Sequence, residues 1–268
     1  MVLERGDKLT ETRDMGMAHI DTSQSIKTGP AGLVTTAINI LTSPSEAFTE
    51  LGQRPAKLFP LIIIMLPLLG VMFWYFTIID FDWFIDDTLA NSFPRANLFV
   101  ETSGDSQLEQ ARGAMESMSQ TTFRMIGVFG GAAGMLLIWV LQASYLSLVS
   151  QLNGDRFRFT HWFSLAVWTA LPYLLTVIGM AVTISLNPNG QLSSFDLDPL
   201  TLTNLGITSS NNMVSLALNS VSLTQIWGVV LTVLAFKQWL VSGWIRALSI
   251  VLAPYLLIIG VSAYFLIS

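Results

Sequence analysis

The sequence predicts an all-α integral membrane protein in which five transmembrane helices follow cytoplasmic amphipathic helices. Two observations lead to this fold class. Hydrophobic residues make up 52% of the 268 residues and charged residues 12%, whereas about a quarter of the residues in a typical soluble domain are charged. The charges are also unevenly distributed, because residues 125–268 hold only four basic and three acidic residues. A soluble core of this length could not bury so much apolar surface, so we expect lipid to be the solvent.

The N-terminal region divides into two segments. Residues 1–29 are polar and mixed in charge, which predicts a flexible cytoplasmic tail and no cleavable signal peptide. In residues 30–57 apolar side chains recur at helical intervals, with an interruption at Ser43 and Pro44. This pattern predicts amphipathic helices on the cytoplasmic surface of the bilayer. The alternative is a small helical hairpin packed in water.

Residues 58–268 form the predicted transmembrane domain. About 20 residues are needed to cross a hydrocarbon core that is roughly 30 Å thick. The predicted spans are 58–79, 123–148, 162–186, 221–241 and 244–267. The last two are separated by a very short connection, which predicts an antiparallel helical hairpin.

The distribution of Lys and Arg predicts the orientation of the spans, because cytoplasmic loops are enriched in both residues. With the N-terminus inside, the cytoplasmic segments hold ten Lys and Arg residues and the opposite side holds three. We therefore expect a cytoplasmic N-terminus, an odd number of crossings and a C-terminus outside.

An acidic group, formed by Asp80, Asp82, Asp86 and Asp87, follows the first span. Carboxylates at this spacing are potential oxygen ligands for Ca²⁺. The spacing lacks the glycine and the distal Glu of an EF-hand loop, and acidic residues on the outer side also fit ordinary topology. We therefore predict no metal site.

The second predicted span contains four glycines, Gly127, Gly130, Gly131 and Gly134. Glycines four residues apart lie on one face of a helix and allow another helix to approach closely. The cluster therefore predicts helix packing, either within the chain or between two copies in a homo-oligomer. It is not a phosphate-binding loop, because no Lys-Ser or Lys-Thr follows it.

No pattern in the sequence predicts an enzyme, a catalytic residue or a cofactor. The chain has no cysteine, and its two histidines, His19 and His161, are more than a hundred residues apart. The motifs of metalloproteases and serine hydrolases are missing. A net charge of −5 does not favour nucleic acid as a partner.

Three stretches follow one another in an order known from one family. In the first, NILTSPSEAFTELGQRPAKLFPLIII, Pro44 and Phe48 lie in the amphipathic helix before the first span. The second, YLSLVSQLNGDRFRFTHWFSLAVWTALPYLL, has Tyr145 at a helix end, Gly154 in a turn and Pro172 inside a span.

The third stretch is SLTQIWGVVLTVLAFKQWLVSGWIRALSIVLAPYLL, in which Trp227 opens the fourth span and Arg246 the fifth. Together the three stretches resemble the Yip family, the Ypt/Rab-interacting membrane proteins, and within it the bacterial members. Lys237 and Trp239 in the last turn and the long first outer loop depart from the family pattern.

The resemblance implies a five-span helical fold and, for a bacterial member, a place in the inner membrane. In eukaryotic relatives it implies binding of prenylated Rab-type GTPases and roles in trafficking or membrane shaping. Nothing in the present residues specifies a GTPase partner, and the resemblance brings no catalytic residue with it.

These observations predict a non-enzymatic membrane protein that acts in protein interaction or in membrane organisation and trafficking. Residues 31–52 are the predicted functional surface, with membrane lipids and a protein partner or a second copy as partners. The alternative function is a small-solute or lipid transporter or channel. The alternative predicts a polar cavity lined by Gln142, Ser144, Thr169, Thr176 or Gln225, whereas the interaction function predicts a closed, apolar bundle.

Overall fold

The computed structural model of the protein describes residues 30–92, 104–210 and 212–267. The predicted tail, residues 1–29, lies outside the described residues. The helices of the described residues are α1 (Pro30–Thr42), α2 (Pro44–Gln53), α3 (Leu58–Ile78), α4 (Phe81–Ser92), α5 (Gly104–Glu116), α6 (Gln120–Leu152), α7 (Phe159–Thr169), α8 (Tyr173–Leu186), α9 (Asn212–Ser220), α10 (Leu223–Trp239) and α11 (Trp244–Ile267). The all-helical fold class is confirmed for this part of the chain.

Three helical segments are long and apolar enough to cross a membrane. They are Leu58–Ile78, Gln120–Leu152 and Phe159–Leu186. α10 is shorter, with 17 residues, and Trp244–Ile258 in α11 is a shorter apolar helix. The structure thus supports three of the five predicted crossings, and the fourth and fifth stay predictions.

Proline residues set several of the helix boundaries. Pro44 occupies the first position of α2, where its missing N–H costs nothing because the first helical N–H groups have no partner within the helix. Pro172 lies in a short turn between α7 and α8, since proline removes a helical hydrogen bond and clashes with the preceding turn. The third predicted span is therefore two helices. Pro67 lies inside α3, which continues through it.

The helices form a bundle with two different ends. α3, α6, α7, α8 and α10 pack against one another, and α11 packs against α10. We call the end that carries α1 and α2 the hairpin end. The opposite end, which carries α4, α5 and the 187–210 segment, is the loop end.

Large aromatic side chains fill the bundle toward the hairpin end. Trp162, Trp168 and Phe236 are each 0% exposed, and the rings of Trp162 and Phe236 lie 5.8 Å apart. We call these three residues the aromatic layer. Fully buried aromatic side chains contribute large apolar areas to a core, so this layer joins α7 to α10.

The loop end is held together by contacts between α3 and the 187–210 segment. The Tyr75 hydroxyl donates a hydrogen bond to the Leu192 carbonyl oxygen at 2.9 Å, and the Asp80 N–H donates to the Gly190 carbonyl oxygen at 3.0 Å. Gly190 has a φ of +74°, and a Cβ atom there would lie 2.4 Å from the Ile78 carbonyl oxygen. Only glycine fits this backbone position without a shift.

We predict that Gly190→Ala destabilises the bundle more than Gly206→Ala does. Both glycines have a left-handed φ, but nothing described lies within 4 Å of a Cβ at Gly206. A residue with a Cβ costs about 1–2 kcal/mol in this conformation, and only the first variant adds a clash with the Ile78 carbonyl. Thermal unfolding in detergent would measure both changes, and equal midpoints for the two variants would contradict the close approach.

Candidate functional site

The α1–α2 hairpin packs directly on the bundle through α2. Phe48 is fully buried, and the Trp239 indole N–H donates a hydrogen bond to its carbonyl oxygen at 2.8 Å. The Phe157 ring stacks on Trp239 with centroids 4.7 Å apart. A Cβ atom at Gly52 would lie 3.3 Å from the Trp239 indole nitrogen. The inner face of α2 is thus part of the protein core.

The residue before Trp239 adds a second contact to the same helix. The Gln238 side-chain amide donates hydrogen bonds to the Ser45 carbonyl oxygen and to the Thr49 hydroxyl, both at 2.8 Å. Consecutive residues of α10 therefore contact successive turns of α2.

The connection from α2 to α3 is fixed by α7. The Ala56 carbonyl oxygen accepts hydrogen bonds from the Ser164 hydroxyl at 2.7 Å and from the Trp168 indole N–H at 2.6 Å. Pro60, four residues after Ala56, has no N–H to donate. Two side chains of the bundle therefore satisfy a carbonyl group for which the adjoining helix offers no donor.

The outer face of α1 carries an apolar stripe, which we define as Val34, Ile38 and Leu41. These side chains are 49%, 55% and 43% exposed, and positions spaced by four and three residues lie on one face of a helix. On the inner face, the Thr36 hydroxyl donates to the Glu50 carboxylate at 3.0 Å, which holds α1 against α2. The hairpin thus packs on the bundle and keeps an exposed apolar face, and the predicted contact of that face with the bilayer surface stays a prediction.

Three of the six family-motif positions lie at the hairpin end. Pro44 begins α2 and Phe48 anchors it. Gly154 follows α6 with a φ of +75°, a conformation that glycine adopts without steric cost. These positions shape the hairpin and the turn that lies beside it.

The other three motif positions lie within the bundle. The Tyr145 hydroxyl donates to the Ile250 carbonyl oxygen at 2.9 Å, which joins α6 to α11. Pro172 is buried at the turn between α7 and α8, and Trp227, on α10, is 37% exposed. Their placement is consistent with a structural role.

The glycine cluster separates into one packed residue and three open ones. A Cβ atom at Gly127 would lie 2.4 Å from the ring of Phe76, so α3 and α6 approach closely there. Among the described residues, nothing lies within 4 Å of a Cβ at Gly130, Gly131 or Gly134. Packing within the chain therefore involves Gly127, and a contact of the other three with a second copy stays a prediction.

A partly enclosed cavity of about 710 Å³ lies inside the bundle. Apolar side chains make up most of its wall. Polar side chains from several helices also face it, namely Gln142, Thr169, Thr224, Gln225 and Thr232, with Asp198 and Ser194 from the loop end. The bundle interior is thus mostly apolar but contains a cavity, and the choice between a closed bundle and a polar pathway stays a prediction.

The polar side chains of this cavity hydrogen bond to one another. The Thr232 hydroxyl donates to the Thr169 hydroxyl at 3.1 Å, and the Gln142 amide reaches Thr232 at 3.5 Å. Of the other residues expected to line such a cavity, Thr176 instead pairs with Thr224 at 2.7 Å. Ser144 bonds to the carbonyl group of its own helix.

A second cavity of about 470 Å³ adjoins the first and forms a groove between α6 and α11. The two cavities share four wall residues, Ile138, Gln142, Thr232 and Tyr255. Leu141, in contrast, lines only the groove and is 59% exposed. The groove is therefore open on the outer surface of the bundle.

The acidic group after the first span does not converge on one point. Asp86 forms an ion pair with Arg112, and Asp87 accepts a hydrogen bond from Ser193 at 2.7 Å. Among the described residues, no three His, Asp or Glu side chains are grouped so that they could hold a metal ion. His161 accepts a hydrogen bond from the Arg158 N–H at 3.3 Å, a helix-capping contact.

The model of one protein family, the Yip1 domain, matches residues 38–266 of this chain. The match begins within α1 and ends within α11, so it includes most of the hairpin and both cavities. No curated protein and no solved structure matches the chain. The resemblance drawn from the three sequence stretches is confirmed at the level of the family.

We predict that Trp239→Phe loosens α2 from the bundle. The variant keeps an aromatic ring beside Phe157 but loses the N–H that donates to Phe48, and a net hydrogen bond contributes about 0.5–1.5 kcal/mol. Hydrogen–deuterium exchange of the α2 amides should become roughly fivefold faster, the factor that corresponds to about 1 kcal/mol. Trp244→Phe is the matched control, because Trp244 is 54% exposed. Unchanged protection of α2 in the first variant would contradict the anchoring role.

Proposed function

Because this chain belongs to the Yip1 domain family, we propose that it is a non-enzymatic, multi-pass membrane protein acting in protein interaction or in membrane organisation and trafficking. The family match is the observation that supports this general role. The apolar stripe on α1 supports the assignment of that role to the hairpin end. No GTPase or other named partner is part of the proposal.

The stripe is suited to binding because its position is fixed in advance. α2 and the connection to α3 are held by Trp239, Gln238 and the two donors to Ala56, and α1 is held to α2. A surface that is already ordered loses little conformational entropy when it binds, which favours affinity. The stripe therefore offers three exposed apolar side chains to a partner protein or to the bilayer surface.

We also propose five crossings, with the N-terminus in the cytoplasm and the C-terminus outside, in the inner membrane of a bacterium. The positions of the basic residues support this orientation. Basic side chains at the hairpin end are Arg54, Lys57, Arg156, Arg158, Lys237 and Arg246. Arg112 and Arg124 lie at the loop end, where Arg124 donates to the Phe76 carbonyl oxygen at 3.1 Å. The richer end is the cytoplasmic one in this proposal.

A small-solute or lipid transporter is the second candidate, and the central cavity is the observation that favours it. Gln142, Thr169 and Gln225 line the cavity, as that function predicts. The aromatic layer fills the bundle between the cavity and the hairpin end, and its three side chains are fully buried. Transport would require this layer to move, so we place this function second.

Single-cysteine variants test the orientation, since the chain has no native cysteine. We expect a membrane-impermeant maleimide to label Ser117→Cys and Ser268→Cys from outside intact spheroplasts. Ser43→Cys, between α1 and α2, should react only after permeabilisation. Labelling of Ser268→Cys from the same side as Ser43→Cys would contradict five crossings.

Photo-crosslinking tests the role of the stripe. A benzophenone amino acid at Ile38 should form a protein adduct in native membranes, and Val34→Ser with Leu41→Ser should weaken that adduct by removing apolar contact area. The matched control is the same probe at Leu152, which ends α6 at the hairpin end and is 80% exposed. Adducts with lipid alone at both positions would contradict a protein-binding role and leave membrane contact as the role of the stripe.

A further inference from the structure

The cavity and the groove adjoin each other and differ in polarity. Their shared wall runs through Ile138, Gln142, Thr232 and Tyr255. On one side lies the larger cavity, with hydroxyl and amide side chains. On the other side lies the groove, whose remaining wall is almost entirely apolar. A molecule filling both parts would therefore need one polar and one apolar end.

The groove opens sideways between two helices. Leu141 on α6 and Leu257 and Ile258 on α11 line it and are 59%, 67% and 62% exposed. In a chain that crosses a bilayer, such a lateral opening faces hydrocarbon. An acyl chain can enter it directly and bury apolar surface on both helices, whereas a water-soluble solute gains nothing there.

The charges in the larger cavity select the polar end. Its wall contains no Lys, Arg or His among the described residues, but it contains Asp198. One oxygen of Asp198 accepts a hydrogen bond from the Leu200 N–H at 2.9 Å. Within the described part of the chain, no cation lies within ion-pair distance of this carboxylate. The cavity therefore favours a positively charged group near Asp198 and disfavours a net negative one.

A further polar side chain in the wall of the cavity, Gln225, supplies donors for the rest of a headgroup. The Gln225 side-chain oxygen accepts from the Ser222 N–H at 3.2 Å, and its amide N–H groups have no hydrogen-bond partner among the described residues. Gln225 is exposed, so these N–H groups are accessible to a ligand. A phosphate oxygen of a lipid is an acceptor that would satisfy them.

We propose that the cavity and the groove together bind one phospholipid with an ammonium-bearing headgroup and no net charge, of the phosphatidylethanolamine type. Its headgroup lies at the loop end beside Asp198 and Gln225, and one acyl chain lies in the groove between α6 and α11. The inference goes beyond the proposed function and does not depend on it, because the stripe lies at the opposite end of the bundle.

Native mass spectrometry of the full chain in detergent tests the proposal by titration with phosphatidylethanolamine and with phosphatidylglycerol. We expect one molecule of phosphatidylethanolamine to bind at least tenfold more tightly than phosphatidylglycerol. Asp198→Asn should remove most of that difference, because it removes the negative charge and keeps the shape. Equal affinity for the two lipids in the unmodified chain would overturn the headgroup assignment.

Two glycines of α6 provide a matched pair of variants for the site itself. Nothing described lies within 4 Å of a Cβ at Gly130 or at Gly134, but only Gly134 lines the cavity. Gly134→Leu should fill the cavity and weaken lipid binding at least tenfold, whereas Gly130→Leu should leave it unchanged. Equal weakening in both variants would overturn the cavity as the site. Helix content by circular dichroism checks that each variant folds. If Gly134→Leu does not fold, the loss of lipid selectivity in Asp198→Asn decides whether the cavity is the binding site.

Discussion

The connection of the hairpin to the bundle is fixed at one backbone group, the Ala56 carbonyl. A carbonyl group inside an apolar protein must have a donor, because its desolvation is otherwise uncompensated. Pro60 lacks an N–H, so the donors come from Ser164 and Trp168 on α7. Trp168 also belongs to the aromatic layer, which means that the same side chain supports the bundle core and fixes the connection to α2. The placement of the stripe follows from this arrangement.

The aromatic layer divides the molecule into two regions with different chemistry. At the hairpin end, indole and amide groups of α10 bind backbone and side-chain oxygens of α2. On the other side of the layer, hydroxyl and amide side chains face an open cavity. Because the layer is fully buried, a ligand in the cavity and a partner on the stripe would contact separate sets of residues. The proposed interaction and the proposed lipid site can thus be tested independently.

Local patterns in the sequence predicted the helices well, and long-range contacts account for what it did not predict. Runs of apolar residues and the Ser43–Pro44 interruption are local features, and α1, α2, α3 and α6 lie where those features placed them. In the sequence, Trp239 is a departure from the family pattern, whereas in the structure it anchors α2. Its partner is 191 residues away in the chain, so no local pattern could reveal this role. A cavity was predicted only for the alternative transporter function, because its size depends on how α3, α6, α8 and α10 are spaced and not on any local pattern. The glycine cluster shows the same limit. Spacing placed four residues together, but among the described residues only Gly127 has another helix within 4 Å of the position of a Cβ atom.

The hydrogen-bonded connection at Ala56 has a consequence for how the protein responds to its membrane. A helix bundle adapts to a thinner or thicker bilayer by tilting, at a modest cost in free energy. Because α7 and α10 bind the Ala56 carbonyl and α2, the hairpin must tilt together with the bundle. The depth and angle at which Val34, Ile38 and Leu41 meet the membrane surface would then change with bilayer thickness, so the chain would convert a mechanical property of the lipid into a change in its exposed surface.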